Sequence, residues 1–277
     1  MKNKLFTYSY NDTFIHNLTG LTKLLGFIFL SFGVMFSYDI RYVLSVLIFS
    51  FIMFRVAKIP FSKIKIMLIY VLIFVCLNAV LTYLFAPEYG VQLYGTRHEL
   101  YVIFGRYSLT LEQLLYQSTK TLKYMAVIPL GMIFFLGTDP SEFAASLSRI
   151  GVHYKIAFPV ALTLRYFPDI QRAYINISRA QQARGLEISS KAPFLKRVKN
   201  ALTIIVPLIF SSLERVDTIS NAMDLRGFGK NKKRTWYRYK KLQRNDYIAM
   251  FITAVIFAVS IFLSAVVNHS RFYNPFI

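Results

Sequence analysis

Acidic residues are scarce in this sequence of 277 residues. Thirteen Asp and Glu stand against 33 Lys and Arg, which makes the formal net charge +20 at pH 7. Charged residues form only 17% of the chain and hydrophobic residues 55%, whereas soluble domains have about 25% and about 45–50%. The composition therefore argues against an ordinary soluble domain. It favours a membrane protein whose Lys and Arg lie on cytoplasmic segments.

Cysteine and paired histidines are also lacking. The one cysteine, Cys76, lies in the apolar run 66–86, so the chain cannot form an internal disulfide framework or a thiolate metal cluster. We expect Cys76 to be a small, buried, apolar residue. The four histidines lie on different segments and no two are four residues apart, which argues against a zinc site. No metal is expected.

Motifs for nucleotide and acyl chemistry are absent as well. No Gly-x-x-x-x-Gly-Lys-Ser/Thr loop occurs, and residues 227–230 lack the spacing that cradles phosphates. No Gly-x-Ser-x-Gly elbow is present. The predicted membrane spans contain no carboxylates, which are the usual mark of an ion-coupled carrier. The sequence therefore predicts no catalytic residue and no cofactor.

Five apolar stretches predict membrane-spanning helices, because a span needs about 20 apolar residues to cross a hydrocarbon core of about 30 Å. The fold class predicted is all-α, a polytopic membrane protein with about five transmembrane helices. Pro129 interrupts the fourth stretch and is expected to kink it. The stretches are residues 21–38, 42–57, 66–86, 122–136 and 247–267, and the fourth can extend backwards through Thr119.

The charges of the connecting loops predict the orientation. Four basic residues, Arg55, Lys58, Lys63 and Lys65, crowd the link between the second and third stretches, so this link should be cytoplasmic. The N-terminus is then inside, without a cleaved signal peptide, and the C-terminus is outside. The external loop 87–117 fits either a short hairpin or a re-entrant turn, and we assign it no function.

The chain is predicted to have three regions. Residues 1–137 form an N-terminal transmembrane region with four spans, and residues 246–277 form a C-terminal transmembrane helix. Between them, residues 138–245 form a cytoplasmic layer of amphipathic helices at the membrane surface. Asp139-Pro140 starts the first helix of this layer. A second helix runs from near His153 to Arg184, and a third runs from near Pro193 to Arg226.

The ends of the second and third helices are alike in sequence. Residues 178–186 align without gaps on residues 220–228, and Ser, Ala, Arg, Gly and an apolar residue recur at matching positions. Helix capping explains one such end, since Arg complements the helix dipole and Gly adopts the left-handed conformation. Two matched ends favour a different purpose, because the planar fork of Arg pairs bidentately with a carboxylate. A repeated helix end implies a repeated partner.

These two ends resemble the paired motifs of a known family, the transmembrane T component of energy-coupling factor transporters. Ala183-Arg184-Gly185 matches the first motif, and residues 222–228, Ala-Met-Asp-Leu-Arg-Gly-Phe, are similar to the second. The resemblance extends through residues 164–168 and the order of spans, so it covers essentially the whole chain. It implies that an ATPase-binding site is formed by Ala183, Arg184, Gly185, Leu225, Arg226 and Gly227.

The resemblance also implies a function and a set of partners. The family acts as a non-catalytic scaffold in the bacterial cell membrane. It links two ATP-binding cassette ATPase subunits, identical or different, to a substrate-binding S component that takes up a vitamin or a metal ion. Its partners are therefore these subunits and the lipid bilayer, and no nucleic acid is expected.

Three other functions stay open at this point. A self-contained permease would have charged or discontinuous spans, and a conventional permease of an ATP-binding cassette importer would carry one coupling helix per chain. A membrane-tethered nucleic-acid binder is favoured only by the net charge and by the basic run 230–244 with its interleaved aromatic residues. Aromatic residues beside Lys and Arg are also typical of a membrane interface.

Overall fold

The computed structural model describes residues 13–104, 107–186, 193–231, 236 and 240–275. The first twelve residues, and residues 232–235 and 237–239 of the basic run 230–244, therefore lie outside the described residues. The described part consists of helices and one two-stranded hairpin. In chain order the elements are α1 (Phe14–Asn17), α2 (Gly20–Phe36), α3 (Ile40–Val56), α4 (Phe61–Phe85), α5 (Tyr89–Tyr94), β1 (Glu99–Phe104), β2 (Tyr107–Thr110), α6 (Leu111–Gly137), α7 (Pro140–Arg149), α8 (Tyr154–Ala183), α9 (Phe194–Leu225) and α10 (Arg244–Phe262), which continues as a π-helix over Leu263–Val267.

Three of the described helices are long and apolar enough to cross a membrane. They cover Ile64–Phe85 in α4, Leu111–Gly137 in α6, and Arg244–Val267 in α10 with its π-helical extension. Helix α2 is also apolar, but its 17 residues reach only about 26 Å. The predicted helical membrane fold is confirmed. The total of five spans, which would add α2 and α3, stays a prediction.

Helix α6 begins well before the predicted fourth span. It starts at Leu111, before both Leu122 and the predicted extension to Thr119, because Thr110 caps it. The Thr110 hydroxyl accepts a hydrogen bond from the Gln113 backbone N–H (3.3 Å). Glu112 in the first turn complements the positive end of the helix dipole. The helix continues through Pro129 to Gly137. Hydropathy alone missed this first part, because it is polar.

Packing divides the chain into two compact units. The first contains the residues up to Phe143 together with those from Lys240 onward, and the second contains Ala144–Tyr239. In the first unit, α2 packs against α6 and α10, and α6 also packs against α3 and α4. A buried apolar cluster that includes Val34, Val43 and Ala126 joins α2, α3 and α6. The division by function into residues 1–137, 138–245 and 246–277 stays a prediction.

The loop 87–117 contains a hairpin, one of its two predicted alternatives. Strand β1 pairs antiparallel with β2, and the Tyr107 hydroxyl of β2 donates to the Leu84 carbonyl at the end of α4 (3.2 Å).

The expectation that Cys76 is buried is wrong, because its side chain is exposed on α4. Only 11% of the apolar stretch of α4 is buried inside the protein, so most of this helix offers an apolar surface.

The second unit is built around two long helices that run antiparallel. Phe228, just after α9, packs against Tyr154 at the start of α8, with ring centroids 5.6 Å apart. Further along, the Arg215 guanidinium of α9 lies over the Tyr166 ring of α8, 5.6 Å from its centroid. Since the α9 numbers fall as the α8 numbers rise, the end of α9 lies beside the start of α8.

Candidate functional site: two matched helix ends

The end of α8 is closed by backbone hydrogen bonds. Arg184 is the last residue with near-helical dihedral angles, and Gly185 follows with φ +87°. The Leu186 N–H donates to the Gln181 carbonyl (3.0 Å), and the Gly185 N–H donates to the Gln182 carbonyl (3.0 Å). These two bonds form a Schellman motif, which satisfies carbonyls that a helix end otherwise leaves without donors.

The end of α9 repeats this geometry. Arg226 has φ −84° and ψ 9°, against −85° and 11° at Arg184. Gly227 follows with φ +64°. The N–H of Phe228 donates to the Met223 carbonyl (2.9 Å), and the N–H of Gly227 donates to the Asp224 carbonyl (2.9 Å). The two sequence-matched ends are therefore matched in backbone structure as well.

The arginine side chains take no part in closing the helices. Both Arg184 and Arg226 are exposed, and neither guanidinium has a hydrogen bond or ion pair to any other described residue. The carbonyls are satisfied by backbone N–H groups of the residues that follow each helix. Capping therefore explains the glycines, and it does not use the guanidinium groups.

The neighbours of each arginine also lie at the surface. Ala183, Gly185 and Leu225 are exposed, and Gly227 is half-buried. Leu225 is 90% exposed, which leaves a large apolar side chain beside Arg226 without cover from the described residues. The six residues predicted from the sequence thus form two surface groups of three, one at the end of each helix.

The two ends lie far apart. Arg226 is beside the start of α8 through the contact of Phe228 with Tyr154, whereas Arg184 closes the other end of α8. A helix of 30 residues is about 45 Å long, and the prolines inside α8 bend it. A partner that contacts both arginines must therefore offer two contact points up to about 45 Å apart.

The two ends differ in how they are held. Phe228 packs against Tyr154 and also against Phe158, with ring centroids 5.2 Å apart in the second pair. The Tyr154 hydroxyl donates to the Asn231 carbonyl beyond the end of α9 (2.7 Å). Leu186, the counterpart of Phe228, is a smaller, half-buried side chain. The end of α9 is thus anchored by aromatic packing on α8.

Two buried charges in the first unit are not among the residues predicted from the sequence. Lys23 and Lys123 lie inside predicted spans, yet both are buried and both donate to backbone carbonyls. The Lys23 ammonium contacts the Gly137 carbonyl (2.8 Å), and the Lys123 ammonium contacts the Met35 carbonyl (3.0 Å). Lysine within an apolar run is the signal that could have pointed to them. Among the described residues no group of His, Cys, Asp and Glu could hold a metal ion.

Apolar helices of membrane-spanning length, together with two exposed and matched helix ends, define an α-helical membrane protein. The chain belongs to the CbiQ family, described as cobalt transport protein, which matches residues 11–237.

Relatives from several bacteria carry the name energy-coupling factor transporter transmembrane protein EcfT. The chain is 26% identical over 262 residues to that of Clostridium kluyveri, which covers 92% of this chain and 94% of the relative. It is 29% identical over 166 residues to that of Leuconostoc gelidum subsp. gasicomitatum, covering 56% and 62%. For Staphylococcus aureus the identity is 29% over 138 residues, covering 47% and 51%. The chain thus spans less than two thirds of the last two relatives.

The family match and these relatives confirm the resemblance to the transmembrane T component that the paired motifs suggested. A transmembrane component of a transporter is a non-catalytic subunit, in agreement with the missing nucleotide and hydrolase motifs.

Proposed function

We propose that this chain is the scaffold that links two ATP-binding cassette ATPase subunits to a substrate-binding S component and transmits ATP-driven motion for uptake. The observation that carries the proposal is the pair of exposed arginines on helix ends with matched backbone geometry. Their residues, Ala183, Arg184 and Gly185 at one end and Leu225, Arg226 and Gly227 at the other, form the ATPase contacts.

The chemistry of each end suits a groove with acidic residues. A guanidinium keeps its charge and binds a carboxylate through two parallel hydrogen bonds. The glycine that closes each helix carries no side chain, so a partner backbone can approach closely. Leu225 adds apolar surface at one end. Because both ends have this chemistry, the sockets on the partner should be alike.

The distance between the ends favours two ATPase subunits over one. Two like sockets up to about 45 Å apart arise naturally when two similar subunits pair. A conventional permease would bring only one such helix end per chain, so the paired ends oppose that alternative. A nucleic-acid partner is not needed to explain the basic charge, since Lys and Arg accumulate on cytoplasmic segments.

The proposal includes the orientation and the cargo class. The N-terminus and the module of residues 138–245 lie in the cytoplasm, the C-terminus lies outside, and α2 and α3 complete five spans. The apolar faces of the long helices support the S component, which selects the substrate. The cargo is a vitamin or a metal ion, and the description of the family as cobalt transport protein favours a metal ion as the first one to test.

Co-purification and uptake test this proposal. The chain is co-expressed with candidate ATPase and S subunits and purified through its own tag. Arg184→Ala and Arg226→Ala should each weaken ATPase retention about tenfold or more, since removing one partner of a buried charge pair costs about 2–5 kcal/mol. The double variant should lose uptake. Arg179→Ala, which removes an exposed arginine on the body of α8, is the matched control and should behave as wild type.

Unchanged ATPase retention and uptake in the double variant would contradict the proposal. In that case the arginines only complement the helix dipoles, and a self-contained permease becomes the better explanation.

A further inference from the structure

A buried cluster of charges surrounds the amino end of α2. Three of its members, Lys23, Glu142 and Asp246, are less than 10% exposed, and a fourth, Lys240, has a side chain that is 53% exposed. Two backbone N–H groups of α2's first turn, those of Thr19 and Gly20, complete it. We call these six residues the junction cluster: Thr19, Gly20, Lys23, Glu142, Lys240 and Asp246.

Two carboxylates from distant parts of the chain cap α2. The Thr19 N–H donates to Asp246 Oδ1 (2.8 Å), and the Gly20 N–H donates to Glu142 Oε1 (3.0 Å). The Thr19 side chain makes no cap hydrogen bond of its own. These carboxylates therefore satisfy N–H groups that the helix leaves without acceptors, and they complement the positive end of its dipole.

The two carboxylates lie on either side of the second unit in the sequence. The chain leaves the first unit after Phe143 and returns to it at Lys240. Glu142 comes just before the exit, and Lys240 and Asp246 come just after the return. The Lys240 ammonium lies 3.6 Å from Glu142 Oε1. Both passages of the chain are thus bonded to one place, the amino end of α2, and to each other.

Lys23 extends the cluster to α6. Its ammonium lies 4.0 Å from Glu142 Oε2 and donates to the carbonyls of Gly137 (2.8 Å) and His16 (3.1 Å). Gly137 is the last residue of α6. Asp246 also accepts from the Gln243 N–H (2.8 Å) and from the Thr22 hydroxyl (2.8 Å), which fixes the start of α10. The end of α6, the starts of α2, α7 and α10, and Lys240 of the return passage therefore meet here.

We propose that Glu142 is a positioning residue for energy coupling, which holds both passages of the chain to the amino end of α2 so that movement of the helix ends reaches the membrane helices. This inference rests on the proposed function, in which the second unit receives the motion of the ATPases. The buried Glu142 carboxylate, held by the Gly20 N–H and by two ammonium groups, resists displacement, because loss of its partners would leave its charge buried and uncompensated. Without the contacts of Glu142, the two passages of the chain bend locally, and the motion does not reach the membrane helices.

The ratio of substrate taken up to ATP hydrolysed tests this role. The full complex is reconstituted in liposomes with wild-type chain, Glu142→Gln, Lys240→Met, Lys240→Glu or Lys240→Arg. Glu142→Gln keeps the shape and an oxygen for the Gly20 N–H but removes the charge. We expect it to retain the ATPases and hydrolyse ATP within twofold of wild type, while uptake per ATP falls at least fivefold.

The lysine variants keep the test independent of folding at the buried position. Lys240 is half exposed, so its replacement does not threaten the fold. Lys240→Glu should lower uptake per ATP more than Lys240→Met. Lys240→Arg keeps the positive charge and should keep uptake per ATP at the wild-type level. Glu142→Gln combined with Lys240→Met should be no worse than Glu142→Gln alone, because the lysine acts through the carboxylate.

The matched control is Glu99→Gln, which removes a carboxylate from an exposed ion pair with Arg97 (2.6 Å) in the hairpin. Its uptake per ATP should equal that of the wild type. The proposed role of Glu142 is refuted if, in a complex whose wild type transports, Glu142→Gln or Lys240→Glu gives the same uptake per ATP as Glu99→Gln. If the wild-type chain retains no ATPase at all, the proposed function fails instead, so the two failures are distinct.

Discussion

At Arg184 and Arg226 the backbone and the side chain have separate tasks. The backbone ends each helix through the left-handed glycine that follows and the N–H groups of the next two residues. The guanidinium groups point to no described partner within the chain. Substitutions at adjacent positions, Arg184 and Gly185, therefore separate helix capping from partner binding.

Arg184→Ala should leave the stability of the purified chain within about 0.5 kcal/mol of wild type, as expected for an exposed side chain without contacts. Gly185→Ala should cost about 1–2 kcal/mol, because a residue with a Cβ must adopt φ +87°. Thermal unfolding in detergent measures both. An equal loss for the two variants would mean that the arginine side chain belongs to the cap.

Asp39 is a residue whose charge is used inside the protein. Its buried carboxylate accepts hydrogen bonds from the Arg41 side chain (2.9 and 3.1 Å) and from the Asn268 amide (3.0 Å). Burial raises the pKa of Asp39, but these hydrogen bonds outweigh it and hold the pKa below its ordinary value. The ionised carboxylate joins the turn between α2 and α3 to the segment after α10.

Asp39→Asn should lower the melting temperature at pH 7. Since the pKa of Asp39 is lower in the folded state, its contribution is complete above the ordinary pKa and is lost as the pH falls through the folded-state value. The difference between wild type and Asp39→Asn should therefore shrink below about pH 4. Melting curves from pH 7 down to pH 3 measure this, with Glu99→Gln as an exposed comparison. A difference that stays constant over this range would show that the charge of Asp39 is not used.

At the scale of the elements, the two helix ends have unequal supports. Aromatic packing of Phe228 on Tyr154 and Phe158 fixes the end of α9 to the start of α8. The end of α8 has no ring contact of this kind among the described residues. The end of α9 is therefore tied to the start of α8, whereas no aromatic contact of this kind among the described residues ties the end of α8 to another helix.

Phe228→Ala should make backbone amides in the last turn of α9 exchange hydrogen about tenfold faster. Loss of the aromatic contacts costs about 1.4 kcal/mol of local stability, which is a tenfold change in the opening equilibrium. Hydrogen–deuterium exchange with mass spectrometry measures it. Leu186→Ala, the matched change at the other end, should have a smaller effect. Equal effects of Phe228→Ala and Leu186→Ala on exchange would show that aromatic packing does not cause the difference between the two helix ends.

At the scale of the whole molecule, the orientation follows from the distribution of charge. Basic residues in the link before α4 predict that this link lies in the cytoplasm. The proposed five spans would then put the hairpin and the C-terminal segment on the outer side. Five spans require both α2 and α3 to cross the membrane, although each has only 17 residues.

Labelling of single cysteines should report this orientation. In a Cys76→Ala background, Tyr101→Cys and Ser270→Cys should react with a membrane-impermeant maleimide in intact cells. Ser62→Cys should react only after the cells are opened. All three positions are exposed, so accessibility in the protein does not limit the reaction. Labelling of Ser62→Cys in intact cells would reverse the orientation, and labelling of Tyr101→Cys and Ser270→Cys on opposite sides would change the number of spans.

Local chemistry made much of the fold and of the candidate site predictable. Asp139-Pro140 starts a helix, and Gly185 and Gly227 end helices, because proline fixes φ at a first turn and glycine tolerates positive φ. Hydropathy located the long apolar helices but misplaced the start of α6, since a capped polar turn adds no apolar residues. The prediction that Cys76 is buried is wrong because an apolar run does not show which of its faces packs against protein and which stays exposed.

The sequence by itself determined the membrane class and the paired arginine ends, because composition, periodicity and capping act over a few residues. Only the tertiary structure decided which remote groups satisfy the charges. The carboxylate that caps Gly20 comes from 122 residues away, and the one that caps Thr19 from 227 residues away. Such pairs form only when folding brings distant helix ends together and removes them from water, and no local pattern encodes that meeting.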